Sequence, residues 1–447
     1  MKKVITYGTY DLFHYGHQRL LERAKALGDY LIVGVTADDF DKARGKINVE
    51  QSLVERIESV KKTGLADEVI VEEYEGQKID DIQRYDIDVF AIGSDWKGKF
   101  DYLKEYCEVV YLDRTKGVSS TELRAERNLV RLGLFGKYVG IYKYAKESKY
   151  VNGLEVAGVF VDDKEHFRES FPEVKYVADN YDALLERVDA VYIVSHPSQH
   201  YDHIKQAILQ KKHVLCESPI VLGVEQYEEL TSLAKQQGVI LMDAIKTAYS
   251  MAYNRLILLL KGGKIGKIVS VDAICTSLKD LQRPDYKDLE NKWNTICAWG
   301  PTALLPIFQL LGPDYKQKTI TSSFIDSKLH FDIFTKIAFV YDHAVASIKV
   351  GKGVKSEGEL IISGTEGYVY VPAPWWKTEY FEIRFEDTNR NKRYFYQLDG
   401  EGIRYELVSF VKAIESGRGS HYIQPITSQA IVQTVEDFYK EKNLIEI

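Results

Sequence analysis

The chain has 447 residues, 45% of them hydrophobic and 28% charged, the composition of a water-soluble protein of two or three domains, each long enough to bury a core. Its formal net charge of −7 excludes the broad basic surface that nucleic acid or an anionic membrane would require, and leaves room for one small basic pocket. The start MKKVITYGTYDLFHYGH has no apolar signal core, no run approaches the ~18 apolar residues of a membrane span, and Cys107, Cys216, Cys275 and Cys297 show no CxxC spacing, so a cytoplasmic protein with reduced thiols and no membrane insertion is expected.

Short apolar runs at residues 4–7, 30–36, 68–71, 89–93 and 108–112 read as strands, with amphipathic helices at 17–27, 52–63, 77–85 and 100–106 between them. Strand–helix alternation at this spacing predicts a parallel sheet covered on both faces, with ligands at the carboxyl ends of the strands. A helix is expected over 121–132, with Gly133 and Gly136 as its stop and turn, which closes a first domain at 1–132. A second alternation starts at Tyr138, with strands at 139–142, 156–161, 190–194, 213–216 and 239–242, and predicts a second doubly wound domain over 138–245. After that the pattern turns to a helix at 253–260 and β-rich stretches at 267–276, 344–350 and 359–362, an α+β domain over 246–447.

Gly8-Thr9-Tyr10-Asp11-Leu12-Phe13-His14-Tyr15-Gly16-His17 lies where the first strand ends and the first helix opens. Gly8 and Thr9 let backbone approach a phosphate, and the helix start near Gly16 offers free N–H groups and a positive dipole end. His14 and His17, three apart, can aim at one phosphorus centre that gains charge in a transition state. The plainer alternatives are a structural histidine pair, or two legs of a metal site that lacks an obvious third ligand.

Arg114-Thr115-Lys116-Gly117-Val118-Ser119-Ser120-Thr121-Glu122 follows the fifth strand. Ser119 and Glu122 fit a capping box, and Arg114, Thr115, Ser119 and Ser120 at a helix start also suit a triphosphate. Arg44 and Lys46 stand in a polar loop that either closes over phosphates or is a solvated charge run. Arg56 either reaches phosphate or is an exposed helical arginine. Asp95 and Trp96 end the fourth strand, as ribose or base ligand and wall, or as a turn with a core-edge tryptophan.

These motifs, with Asp95-Trp96-Lys97-Gly98-Lys99-Phe100-Asp101, resemble the glycerol-3-phosphate cytidylyltransferase family from Lys2 to about Arg124. The resemblance implies a Rossmann-like nucleotidyltransferase fold, a homodimer, and transfer of CMP from CTP to glycerol 3-phosphate or a close polyol phosphate with Mg²⁺. It implies catalytic roles for His14, His17, Lys46 and Arg114. CTP contacts would fall on Gly8, Thr9, Gly16, Asp95, Thr115, Ser119 and Ser120, and acceptor contacts on Arg44, Arg56 and Trp96. Ser94, where the family often has aspartate, and Arg44, where it often has lysine, are departures that bear on the acceptor. No metal ligand set is read from side chains.

From about Tyr138 the chain resembles the glucose–fructose oxidoreductase and inositol dehydrogenase family, through Asp189-Ala190-Val191-Tyr192-Ile193-Val194 with Pro197 and His200, and His213-Val214-Leu215-Cys216-Glu217-Ser218-Pro219. The family's dinucleotide turn, GxGxxG after a strand, is read at Gly140-Ile141-Tyr142-Lys143-Tyr144-Ala145, where Tyr142 and Lys143 would crowd a pyrophosphate. The signature lysine is Ser218, and Leu304-Leu305-Pro306-Ile307-Phe308 lack the family's titratable groups. The expectation is a degenerate partner domain. The alternative is a bifunctional enzyme that reduces a keto-phosphate with NAD(P)H, Gly140, Asp162, His196, Pro197 and Glu217 then contacting the dinucleotide.

Overall fold

A computed structural model of the chain describes residues 1–37, 49, 51–73, 76–113, 129–279, 289–396, 398–420 and 422–447. They form two compact units, Met1–Leu129 and Val130–Ile447.

The first unit is a parallel sheet of β1 (Lys3–Gly8), β2 (Tyr30–Thr36), β3 (Glu68–Glu72), β4 (Val89–Gly93) and β5 (Glu108–Leu112), in the order β3-β2-β1-β4-β5. The strands are almost wholly apolar because both faces are covered. Val4, Leu31, Val33 and Ala91 point to one core with Leu21 and Val60, and Ile5, Ile32 and Phe90 to another with Ile82 and Leu103. The helices Tyr15–Lys25, Leu53–Lys62 and Gln77–Tyr85 follow the expected runs. Ser52 and Glu55 cap the second of these reciprocally. The strand order reverses between β1 and β4, so the segments that leave these neighbours open the crevice where α/β sheets bind ligands.

The second unit begins with β6 (Val130–Gly136), then β7 (Leu154–Val161), β8 (Ala190–Val194), β9 (His213–Glu217) and β10 (Leu241–Ala244), all parallel in the order β10-β9-β8-β6-β7. This corrects two expectations. Residues 130–132 belong to a strand, not to the end of a helix, and residues 139–142 lie in the helix Tyr138–Ser148, not in a strand. The apolar run Leu132-Gly133-Leu134-Phe135 is short and glycine-bearing, a pattern that periodicity cannot assign. Gly133 is needed because a Cβ there would sit 3.1 Å from Leu184.

A nine-stranded mixed sheet follows: β11 (Ile268–Thr276), β12 (Gln317–Asp326), β13 (Phe331–Val340), β14 (Val345–Gly351), β15 (Leu360–Gly364), β16 (Gly367–Val371), β17 (Tyr380–Phe385), β18 (Lys392–Phe395) and β19 (Leu444–Glu446). It lies with the preceding parallel sheet in the unit Val130–Ile447. The helices Ile403–Ser416 and Pro425–Tyr439 return to the parallel sheet, where Glu406 accepts from Tyr192 Oη at 2.6 Å and Val432 joins the core of β8 and β9.

Candidate functional site

In the first unit the turn after β1 is built around an interior tyrosine. Tyr10 is 1% exposed and takes positive φ (53°), as does Leu12 (46°), a conformation that costs energy for any residue but glycine and persists where surroundings impose it. The Tyr10 ring meets His17 edge-on with centroids 5.5 Å apart, and Phe13 flanks the same imidazole at 5.5 Å.

His14 is the N-cap of the helix Tyr15–Lys25: its Nδ1 accepts the Gly16 N–H at 3.0 Å. A ring nitrogen that accepts a backbone N–H carries no proton, so neutral His14 holds its proton on Nε2. The His14 and His17 rings stack at 3.9 Å and 20°, so the two imidazoles form one block at a helix start. Sequence reasoning paired them but missed the cap and the walls. An aromatic at Tyr10, three before Phe13 and seven before His17, was the available signal.

Arg56 departs from expectation. It is 0% exposed, and its guanidinium donates to the carbonyls of Thr9 (2.6 Å), Thr36 (2.8 Å) and Gln51 (3.1 Å). It binds the β1 turn, the end of β2 and the approach to the second helix into one piece. Asp11, 3% exposed, accepts the Gln51 N–H at 2.9 Å, a role its place in the motif did not reveal. Gly8 ends β1 and Gly16 opens the helix. Asp95 and Trp96 lie in a 3₁₀ turn straight after β4, β1's neighbour, with Asp95 exposed and Trp96 half-buried between Phe100 (5.8 Å) and Lys99 (5.1 Å). The topology thus brings Gly8, Thr9, His14, Gly16, His17, Asp95 and Trp96 to one edge. Arg44, Lys46, Arg114, Thr115, Ser119 and Ser120 lie outside the described residues. Among the described residues no three histidine, cysteine or acidic side chains gather as a metal site.

In the second unit the turn after a strand belongs to Gly136, not to Gly140. A Cβ at Gly136 would lie 2.8 Å from the Val194 carbonyl oxygen, and one at Gly140 3.3 Å from Val194 Cγ1. Both glycines let the first strand, its turn and its helix lie close against β8. Tyr142 is on the helix, 41% exposed and edge-on to Phe171 at 5.2 Å, and Lys143 is one turn in, so neither sits in the turn. Asp162 follows β7 and, with Asp163, Lys164 and Glu165, lines an open hollow of about 480 Å³. His196 caps the short turn that starts at Pro197 and its Nε2 lies 3.2 Å from the Lys292 carbonyl; burial holds its pKa below the usual value. Buried His200 has its ring nitrogens 2.9 Å from the Pro219 and 3.0 Å from the Ser195 carbonyl, and burial pushes its pKa down to about 4, which makes it structural. Glu217 ends β9 and accepts from Tyr144 Oη. Leu304, Leu305 and Ile307 are 0% exposed in the helix Thr295–Leu310 and present nothing titratable.

Known proteins match each unit separately. The cytidylyltransferase-like family matches residues 5–126. Over 126 residues the chain is 58% identical to the glycerol-3-phosphate cytidylyltransferase of Bacillus spizizenii, covering 28% of this chain and 97% of that one. The enzyme of the same name from Staphylococcus aureus is 50% identical over 129 residues, 28% of this chain and 95% of that one. Through its first unit the chain belongs to the glycerol-3-phosphate cytidylyltransferase family. Residues 130–244 of this cytidylyltransferase match the oxidoreductase family with an NAD-binding Rossmann fold. A 3-ketoreductase from Actinomadura kijaniata, solved with NADP and TDP-benzene, superimposes with a TM-score of 0.63 at 18% identity, over 72% of this chain and all of that one. The UDP-N-acetylglucosamine 3-dehydrogenase of Acidithiobacillus ferrooxidans gives 0.57 at 18%, over 68% of this chain and 95% of that one. The second unit therefore has the oxidoreductase fold, and the chain is a nucleotidyltransferase with an oxidoreductase-like second unit.

Proposed function

We propose that the first unit transfers CMP from CTP to glycerol 3-phosphate, releasing pyrophosphate. The observation that carries this is the stacked His14–His17 block at a helix N-terminus, with His14 Nδ1 accepting the cap hydrogen bond and the ring's proton therefore on Nε2. An oxygen of the acceptor phosphate forms a bond to the α-phosphorus as the bond to the pyrophosphate oxygen breaks. The acceptor is already ionised at neutral pH, so the protein orients two polyanions and neutralises charge at phosphorus rather than abstracting a proton. His14, His17 and the helix start serve the α-phosphate. Gly8 and Thr9 admit the nucleotide's phosphates, and Asp95 and Trp96 border the nucleoside. Lys46, Arg114, Thr115, Ser119 and Ser120 complete the triphosphate contacts, with Arg44 toward the acceptor. Arg56 acts through the backbone it holds. Mg²⁺, an ion that keeps few protein ligands, would be carried chiefly by the phosphates of CTP and would supply charge neutralisation there. We propose a cytoplasmic homodimer.

The acceptor is tested by CTP turnover against a panel of phosphorylated compounds. Glycerol 3-phosphate will give the highest kcat/KM, ahead of other polyol phosphates. The sequence carries no aromatic-cage signature for a quaternary ammonium, so phosphocholine will be turned over more slowly than the polyol phosphates; faster turnover of phosphocholine overturns the assignment.

For the second unit the corrected turn favours the bifunctional reading. Gly136 is a place a side chain would fill, and it feeds the N-terminus of an eleven-residue helix, the arrangement that receives a pyrophosphate. We infer that this helix start, Gly140, Asp162, His196, Pro197 and Glu217 hold a nicotinamide dinucleotide, which when bound supplies hydride chemistry. Titrating the full chain with NADH and NADPH will show saturable fluorescence changes, and Asp162→Ala will weaken binding about tenfold or more, the loss of a charge-assisted hydrogen bond. An absence of binding returns the unit to a scaffolding role.

A further inference from the structure

Four ionisable side chains from four elements gather near the carboxyl ends of β9 and β10. Glu217 ends β9 and Tyr144 donates to it. Glu406 enters from the helix Ile403–Ser416, fully buried, and accepts from Tyr192 through Oε1 at 2.6 Å, while its Oε2 has no partner among the described residues. Lys143 projects from the helix Tyr138–Ser148 with its ammonium 5.1 Å from the Tyr144 ring centre. Lys246 follows β10, its side chain 25% exposed and 3.4 Å from Glu401, which Lys377 also holds. The Tyr144 and Tyr192 rings lie 4.4 Å apart, so the two carboxyls share one tyrosine pair as a partition.

This is a poor way to build a core. A fully buried carboxyl and a half-buried one repel each other, one oxygen lacks a donor among the described residues, and an apolar filling of the same volume would do as well or better. The groups act on one another: burial, then the Lys246 charge, depress the Lys143 pKa, and burial, then Glu217, push that of Glu406 up to about 8. Burial raises Glu217, opposed by both lysines. Groups whose environments move them toward neutrality, gathered at strand ends, mark proton chemistry more than packing.

We propose that Lys143 and Lys246, set against Glu217 and Glu406, form a proton-delivery centre for a carbonyl compound, and so provide from two other elements the positive charge that Ser218 lacks. The inference rests on the dinucleotide-binding reading of this unit. When a carbonyl carbon accepts a hydride from a reduced nicotinamide, the π electron pair moves to oxygen. One ammonium of the pair gives that oxygen a proton and becomes an amine, and the Glu406 carboxyl, through Glu217, returns a proton to it before solvent restores the acid. Asp243 and Tyr249, both buried, and the Glu401–Lys377 ion pair also face the cluster.

The test uses the full chain with NADPH and, as carbonyl probe, dihydroxyacetone phosphate. Lys143→Met and Lys246→Met will each bind NADPH within about threefold of the parent. NADPH oxidation will fall by about 100-fold or more in the variant that removes the donor, and the limb of the pH–rate profile that reports the donor will disappear there. A readout free of turnover is competitive acetylation with peptide mass spectrometry. Lys143 will titrate below the exposed lysines, and Lys246→Met will move it back up. NADPH binding without turnover, turnover and pH profile unchanged in both variants, or a Lys143 midpoint that Lys246→Met leaves unmoved each overturns the proposal. Failure of the parent to bind NADPH instead overturns the reading beneath it.

Discussion

His14→Ala and His17→Ala will each lower CTP-dependent pyrophosphate release by about 100- to 1000-fold, the effect of removing one donor aimed at transition-state charge. His14 does two jobs, because its Nδ1 also caps a helix, and loss of an N-cap acceptor costs about 0.5–2 kcal/mol. His14→Asn separates them: asparagine keeps a cap acceptor and lacks the imidazole Nε2. It will match alanine in lost turnover and stand closer to the parent in thermal stability. His17 is held between Tyr10 and Phe13, so its loss will act mainly on kcat. Near-parental turnover in His17→Ala, or in His14→Asn, would sink the assignment of the site.

Lys78→Met will be the most destabilising single change in the first unit, by about 3–5 kcal/mol, the range for a buried ion pair stripped of one partner. Lys78 and Glu72 pair with side chains 8% and 1% exposed. Thr36 Oγ donates to Glu72 at 2.8 Å, and Lys78 also lies 4.5 Å over the Tyr7 ring, whose hydroxyl donates to Asp81 at 2.8 Å. Methionine keeps the stem's volume and removes the buried ammonium that Glu72 pairs with. Thr36 ends β2 and its carbonyl takes Arg56, so the damage reaches the root of the site. The measurement is the urea midpoint for loss of CTP turnover in the full chain, which reports the first unit alone. Lys78→Met with Glu72→Gln will recover part of the loss. A midpoint within error of the parent for the single variant would show that the pair contributes little.

Much of the first site was legible because its residues are neighbours in sequence. HxGH, the strand before it and the helix after it lie within Lys3–Lys25, and a parallel sheet leaves little choice about which strand end they occupy. Asp95 and Trp96 were placed by the same logic, through β4. Arg56 was not: a lone arginine on an amphipathic helix reads as solvated, and only the fold closes three carbonyls around it. The first strand and turn of the second sheet were misplaced by a few residues because Leu132–Phe135 has no alternation and Gly133 resembles a helix stop. What distinguishes Gly136 is its approach to Val194, some sixty residues away.

The amino-acid sequence by itself determined the two doubly wound sheets, the family of the first unit and the pair His14–His17, since period, turn residues and local motifs are short-range properties of the chain. The tertiary structure alone decided the tautomer of His14, the burial of Arg56, the return of the C-terminal helices to the second sheet and the meeting of Lys143, Glu217, Lys246 and Glu406. Those four stand on four separate elements, and their charge states depend on distances and lost solvent, which no spacing along the chain records.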